Sequence, residues 1–416
     1  MFTTDKLDNG LRIATKKLDG YRSVALGVWI KAGSVNERDH EAGISHFIEH
    51  MLFKGTKTRS AKEIAVLNDA IGGNLNAFTS KECTCVYTKT LENDVDTAAD
   101  IMSDMLLNSL FDEEELEREK GVVIEEILMN EDSPEDVAHE KLSSIFFEGS
   151  ALAKPIMGTK ESVSSFTPDM LRAYMERMYR AENMVIACAG DFDRERLMKT
   201  LGDRFSGVPS GSADGFTGGK LTEKSRFEAV EKDIEQMHIC LGLPGYSIGQ
   251  KEQYAIAILS NALGGNSSSR LFQRVREQLG LAYSVYSYSS SYCDTGYLTI
   301  YAGTGEKQAE SVIKTILDEI DRLKHHGLTE SEFNRCKQQL KIAYILGMEN
   351  SSAHSSSIGK ALLLRGKALS TDEVLARMEA ITIDDINNII PHVLDTDRLC
   401  GAYVGKNSGR LVNLLR

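Results

Sequence analysis

The 416-residue sequence has no apolar run long enough to cross a bilayer, and its opening MFTTDKLDNG lacks the basic start and apolar stretch of a secretory signal. These absences exclude a membrane-spanning chain and predict a soluble, cytoplasmic protein. No Cys-x-x-Cys pair occurs, and the seven cysteines (Cys83, Cys85, Cys188, Cys240, Cys293, Cys336 and Cys400) are odd in number and lie mostly inside apolar runs. Neither a disulfide framework nor a cysteine zinc knot is expected, and the cysteines read as reduced core residues. Positive charge is scarce as well. Lys and Arg number 48 against 61 Asp and Glu, a net charge of −13, which leaves no basic footprint for nucleic acid and favours basic peptides as partners.

What is present is globular: 42% of the residues are hydrophobic and 26% are charged. A chain of this length exceeds one hydrophobic core, so two domains are expected. The stretch SGVPSGSADGFTGG, residues 206–219, reads as a flexible linker between a domain over residues 1–205 and another over 220–416. The halves share a plan. AIGGN, ending at Asn74, returns as ALGGN, ending at Asn266, and FDEEELEREKGVVIEE from Phe111 resembles LTESEFNRCKQQLKIA from Leu328. The spacing between matched pieces grows along the chain, as an old duplication with insertions predicts.

Alternating or β-branched segments predict strands at Leu11–Leu18, Val24–Ala32, Cys83–Leu91 and Met184–Ala189, then at Met237–Leu243, Tyr283–Tyr288 and Gly296–Ala302. Capping boxes at Ser60/Glu63 and Thr329/Glu332, together with Asp112 and Thr167-Pro168, open helices. Hairpins mixed with long helices predict an α+β fold of two similar α/β sandwich domains with mainly antiparallel sheets.

The segment GISHFIEHMLF carries the chemistry. Its apolar period is helical, so His46 and His50, four apart, project from one face and can share one metal ion. Glu49 lies about a hundred degrees around the helix from His50, within reach of a water beside that metal. A hydrolytic zinc needs a third protein ligand and an open position. The acidic helix EREKGVVIEEI offers Glu119 and Glu126 on one face, with Val122 and Val123 as a buried side. One carboxylate suffices as ligand and the other can orient a histidine.

These residues resemble the inverted-motif (HxxEH) zinc metallopeptidases that include pitrilysin, insulin-degrading enzyme and the mitochondrial processing peptidase. HFIEHMLFKGT is joined in order by GGNLNAFTSKECTCVY, PIMGTKESV, RAENMVIACAG and VREQLGLAYSVYS. The length matches the short, processing-peptidase-like members, which are typically dimers enclosing a peptide chamber, so a homodimer is expected here. The resemblance implies one Zn2+ per chain on His46, His50 and Glu126, with Glu49 as general base and Glu119 supporting a histidine. It further implies an edge strand at Asn76, Ala77 and Phe78 that receives the backbone of a peptide substrate, and an Arg276–Tyr283 pair that contacts substrate and the developing oxyanion. Anchoring on the EQLG run would select Arg274 instead of Arg276; the spacing to the tyrosine favours Arg276. The expected activity is that of a zinc-dependent endopeptidase on extended or unfolded peptides.

Overall fold

Strand-forming residues gather into two sheets in a computed structural model that describes residues 2–213, 221 and 223–414. The first sheet contains β1 (Thr3–Lys6), β2 (Arg12–Lys17), β3 (Ser23–Ile30), β4 (Asn76–Thr79), β5 (Thr84–Leu91) and β6 (Met184–Gly190), in the order β1-β2-β6-β3-β5-β4. The second contains β7 (Arg226–Glu231), β8 (Gln236–Pro244), β9 (Ala282–Ser291), β10 (Gly296–Gly305) and β11 (Cys400–Gly405), in the order β7-β11-β8-β10-β9. In each, the last strand in sequence enters the middle, runs parallel to one neighbour and pairs antiparallel with the other. The shared insertion is the structural form of the repeat, and the mainly antiparallel α/β sandwiches match the expected fold class. β1 (TTDK) holds no apolar residue and β7 (RFEAVE) is short and half polar, so neither carries a usable period in the sequence.

Five helices follow the first strands: α1 (Ile44–Met51), α2 (Ala61–Ala70), α3 (Val95–Asn108), α4 (Glu113–Asp132) and α5 (Pro134–Phe146). The capping box of Ser60 and Glu63 opens α2, and the Asp112 carboxylate accepts from the backbone N–H groups of Glu114 and Glu115 at the start of α4.

The chain divides into two compact units that are not its contiguous halves. Leu128–Ala153 belongs to the second unit and Ile345–Ser370 to the first. The reason is burial. In the first unit one sheet face carries Trp29, Cys83, Cys85, Val185 and Ala187, and the helix Ser351–Arg365 covers it with Ile358, Leu362 and Leu363. In the second unit α5 covers β8 and β11, close enough that a Cβ on Gly242 would lie 3.1 Å from Leu142 and Phe146. Each sheet thus takes its second cover from the other half of the sequence, because a sheet apolar on both faces needs two layers.

The segment expected to be a flexible linker, 206–219, begins as packed structure. Val208 is buried, the Asn9 side chain donates to the carbonyls of Phe205 and Val208, and Pro209 O accepts from Ala181 N. Residues 214–219 of it lie outside the described residues. The repeated GGN turn also diverges. Gly72 and Gly73 take φ of +112° and +67° after α2, whereas Gly264 is still helical, where a Cβ would meet Ser287 N at 2.6 Å. One pair supplies left-handed backbone and the other supplies close approach. None of the seven cysteines forms a disulfide, and no helix of the described residues is long and apolar enough to cross a membrane.

Candidate metal centre

An isolated eight-residue helix would not hold its shape in water, so α1 depends on its surroundings. Ile44, Phe47, Ile48 and Met51 are buried, each contributing about 2 kcal/mol by leaving water, and Phe47 packs edge-to-face on Phe166 at 5.3 Å. Its N-terminus is held from outside. The two carboxylate oxygens of buried Glu37 accept from Gly43 N at 2.8 Å and Ser45 N at 2.9 Å. Burial pushes the Glu37 carboxyl up to about 7, and those backbone donors work in the opposite direction. Gly43 sits at φ +88°, and a Cβ there would lie 2.4 Å from Met157 O. The PIMGTKESV segment therefore presses directly on the start of α1.

With the apolar stripe inward, the opposite side of α1 presents His46 and His50, whose ring centroids are 4.7 Å apart. α4 contributes the carboxylates. Its buried stripe is Leu116, Glu119, Val123 and Ile127, so Glu119 occupies a core position and Glu126 a half-exposed one beside it. Val122, expected to be buried with Val123, is exposed because it lies off this stripe.

Glu126 Oε2 is 3.4 Å from His50 Nε2 and 3.7 Å from His46 Nε2, and one ligand atom from each of the three residues lies within 4.8 Å of the other two. Tetrahedral zinc with bonds of 2.0–2.2 Å places its ligand atoms about 3.3–3.6 Å apart, so the cluster fits such an ion with little movement. The protonation states suit it. Burial, then the charge of His50, pushes His46 down to about 4, leaving a neutral imidazole. Burial acts to lower the His50 pKa too, but the bond to Glu119 and the charges of Glu126, Glu119 and Glu49 outweigh it and raise the pKa. Protons therefore compete with a metal at His50 before His46.

Glu119 accepts from His50 Nδ1 at 2.8 Å and pairs with Lys54 Nζ at 2.5 Å. Burial would raise its pKa, but these two bonds outweigh that and lower it. Its ionised carboxylate turns the other ring nitrogen of His50 toward Glu126. Glu119→Gln should weaken affinity for added Zn2+ about 10- to 100-fold, measured by competition with a chromophoric chelator. Unchanged affinity would mean that Glu119 serves only the Lys54 pair.

Glu49, on the same helix, is raised by burial and by Glu126, against the pull of Thr79 and His50. Its Oε2 accepts from Thr79 Oγ1 at 2.5 Å. Thr79 closes β4, which pairs with β5 on one side and ends the sheet on the other. Asn76, Ala77 and Phe78 thus lie on an edge strand; Ala77 is buried, and Phe78 packs on Trp29 at 5.6 Å and Tyr87 at 6.0 Å.

Arg276 and Tyr283 lie in the second unit. The segment Phe272–Gln278 is wound as a π-helix, and the Arg276 guanidinium carbon stands 4.7 Å from the ring centres of both Phe272 and Tyr283. Arg274 donates to Gln278 at 3.0 Å, and Arg276 is the arginine stacked on the tyrosine. Tyr283 is 78% exposed. Sequence reasoning missed Lys54, Thr79 and Glu37. Each acts through a contact that local pattern does not encode, and only their position in LFKGT, NAFT and GSVNE could have singled them out.

Residues 12–160 match the family described as insulinase (peptidase family M16), and residues 165–340 match the peptidase M16 inactive domain. The chain is 44% identical over 395 residues to the uncharacterized zinc protease YmxG of Bacillus subtilis, covering 94% of this chain and 95% of that protein. In fold it is similar to a protease from Helicobacter pylori, with a TM-score of 0.90 at 21% identity, covering 97% of this chain and 99% of that one. It is also similar in fold to a chain of Complex III2 from Candida albicans, with a TM-score of 0.84 at 21% identity and 99% of each chain covered. This architecture therefore occurs both in a protease and in a chain of Complex III2, and the side chains must decide the function.

Proposed function

Because this chain belongs to the insulinase family of peptidases, M16, we propose that it is a zinc metalloendopeptidase of the inverted-motif (inverzincin) kind, acting on extended or unfolded peptides. The observation that carries this reading is the convergence of His46, His50 and Glu126 from two helices, with Glu49 beside them on α1. Those three residues would hold zinc. When bound, zinc supplies a Lewis acid that polarises a carbonyl and brings the pKa of water toward about 7.

The remaining steps belong to the chain. The free edge of β4 at Asn76, Ala77 and Phe78 takes the substrate backbone as an added strand, which requires an unfolded segment. Glu49 removes the proton from the attacking water and returns it to the leaving amine; its raised pKa brings it nearer the working pH of such a base. Tyr283 donates to the oxyanion, and Arg276 stacked on its ring limits the orientations that ring can take. In this reading two chains form a homodimer chamber, in which the zinc centre of one chain is completed by Arg276 and Tyr283 of the other. The cysteines, none of them in a disulfide, support a reducing, cytoplasmic setting.

The like-folded chain of Complex III2 makes a purely structural subunit the rival. It is disfavoured because the ligand positions and Glu49 are all filled in this sequence. Mass spectrometry of an unfolded peptide library incubated with the chain should reveal cleavage products that vanish with chelator and return with Zn2+. Products from basic peptides should be favoured at low salt, given the net charge of −13. Metal-dependent binding without any cut would replace the peptidase with a peptide-binding protein.

A further inference from the structure

We propose that Thr79 is a positioning residue for Glu49, fixing the base to the strand that receives the substrate; this rests on the peptidase reading above. Along β4 the side chains alternate, so Phe78 lies against Trp29 and Tyr87 while Ala77 and Thr79 take the other face, toward α1. There Thr79 Oγ1 comes within 2.5 Å of Glu49 Oε2. Among the described residues it is the hydrogen-bond donor that Glu49 has.

The surroundings leave the Thr79 hydroxyl proton no better acceptor. Thr84, opposite Thr79 in the β4–β5 ladder, donates its own proton to Ala32 O at 2.8 Å, and its contact with Thr79 is a long 3.3 Å. The turn that follows is pinned as well, because Ser80 N and Ser80 Oγ both donate to Cys83 O, at 2.8 and 2.9 Å. Thr79 is therefore a fixed donor on a fixed strand end. Glu49, by contrast, is a half-buried side chain with three rotatable bonds and a neighbouring carboxylate, Glu126, that repels it. Thr79 lies one strand repeat, about 6.7 Å, beyond Ala77. A peptide added to the edge of β4 would meet the base at a constant offset from its own backbone. This is the positioning that intramolecular catalysis rewards.

The test compares Thr79→Val, which keeps the shape and removes the hydroxyl, with Thr79→Ser, which keeps the hydroxyl. The Val variant should bind one zinc and keep KM within about twofold, while kcat falls about 10- to 100-fold; the Ser variant should keep most of kcat. Crystal structures of the two variants should show Glu49 turned away from β4 in Thr79→Val and bonded to the introduced hydroxyl in Thr79→Ser. Wild-type kcat in the Val variant, a loss confined to KM or zinc, equal damage in both variants, or an unmoved Glu49 would each overturn the proposal. If the wild-type chain cuts no peptide the peptidase reading falls instead, and the position of Glu49 in the two crystal structures still decides the role of Thr79.

Discussion

Glu49→Gln is expected to retain one zinc per chain and to lose peptide cleavage by about 10²- to 10⁴-fold in kcat. The glutamine keeps the volume of the side chain, and its carbonyl oxygen still accepts from Thr79, so β4 and α1 stay in register. What disappears is the basic oxygen that takes a proton from water. The metal should remain because His46, His50 and Glu126 supply its ligands without Glu49. His50→Ala makes the opposite case, removing a ligand and one partner of the buried Glu119 carboxylate, so both zinc and activity should be lost. Elemental analysis of the two purified variants, alongside a peptide assay, checks both roles. Zinc lost from Glu49→Gln but kept by His50→Ala would reverse the assignment.

The second large effect concerns the shared site. Tyr283→Phe removes an oxyanion donor and should cost about 10²- to 10³-fold in kcat, while Glu49→Gln is nearly inactive alone. Co-expressed, the two chains form mixed dimers in about half of all cases. In each mixed dimer one site carries both lesions and the other carries neither, so activity should recover to about a quarter of wild type. A site completed within one chain would leave every site of a mixed dimer damaged. Verified mixed dimers with no recovery would therefore remove the shared chamber while leaving the zinc assignment intact. Tyr283 is the residue chosen for this exchange because it is exposed and lies outside the core of its own unit.

The metal centre was largely legible in the sequence because its geometry is local. Helical winding alone places residues four apart on one face, so HFIEH announces two convergent imidazoles before any fold is known. The spacing of Glu119 and Glu126 likewise places both on one side of α4, although which was core and which was rim depended on the packing of Leu116, Val123 and Ile127. The capping boxes at Ser60 and Thr329 were readable for the same reason, since each closes within four residues. The repeat was visible as GGN turns and paired helices, yet its clearest expression, the last strand inserted into the middle of each sheet, leaves no mark in local pattern.

By itself the sequence determined what depends on neighbours along the chain: the helix bearing His46, Glu49 and His50, the second helix bearing two carboxylates, and the α/β composition. Tertiary structure alone decided that Thr79 meets Glu49, that Lys54 shares Glu119 with His50, and that Glu37 holds the start of α1. It also decided that each sheet is covered by a helix from the other half of the sequence, and that residues 206–213 begin as packed structure. The physical reason is the same throughout. Dihedral periodicity propagates over a few residues and can be read directly, whereas a hydrogen bond or a buried face is satisfied by whichever partner the completed fold brings near, and that partner's position along the chain is unconstrained.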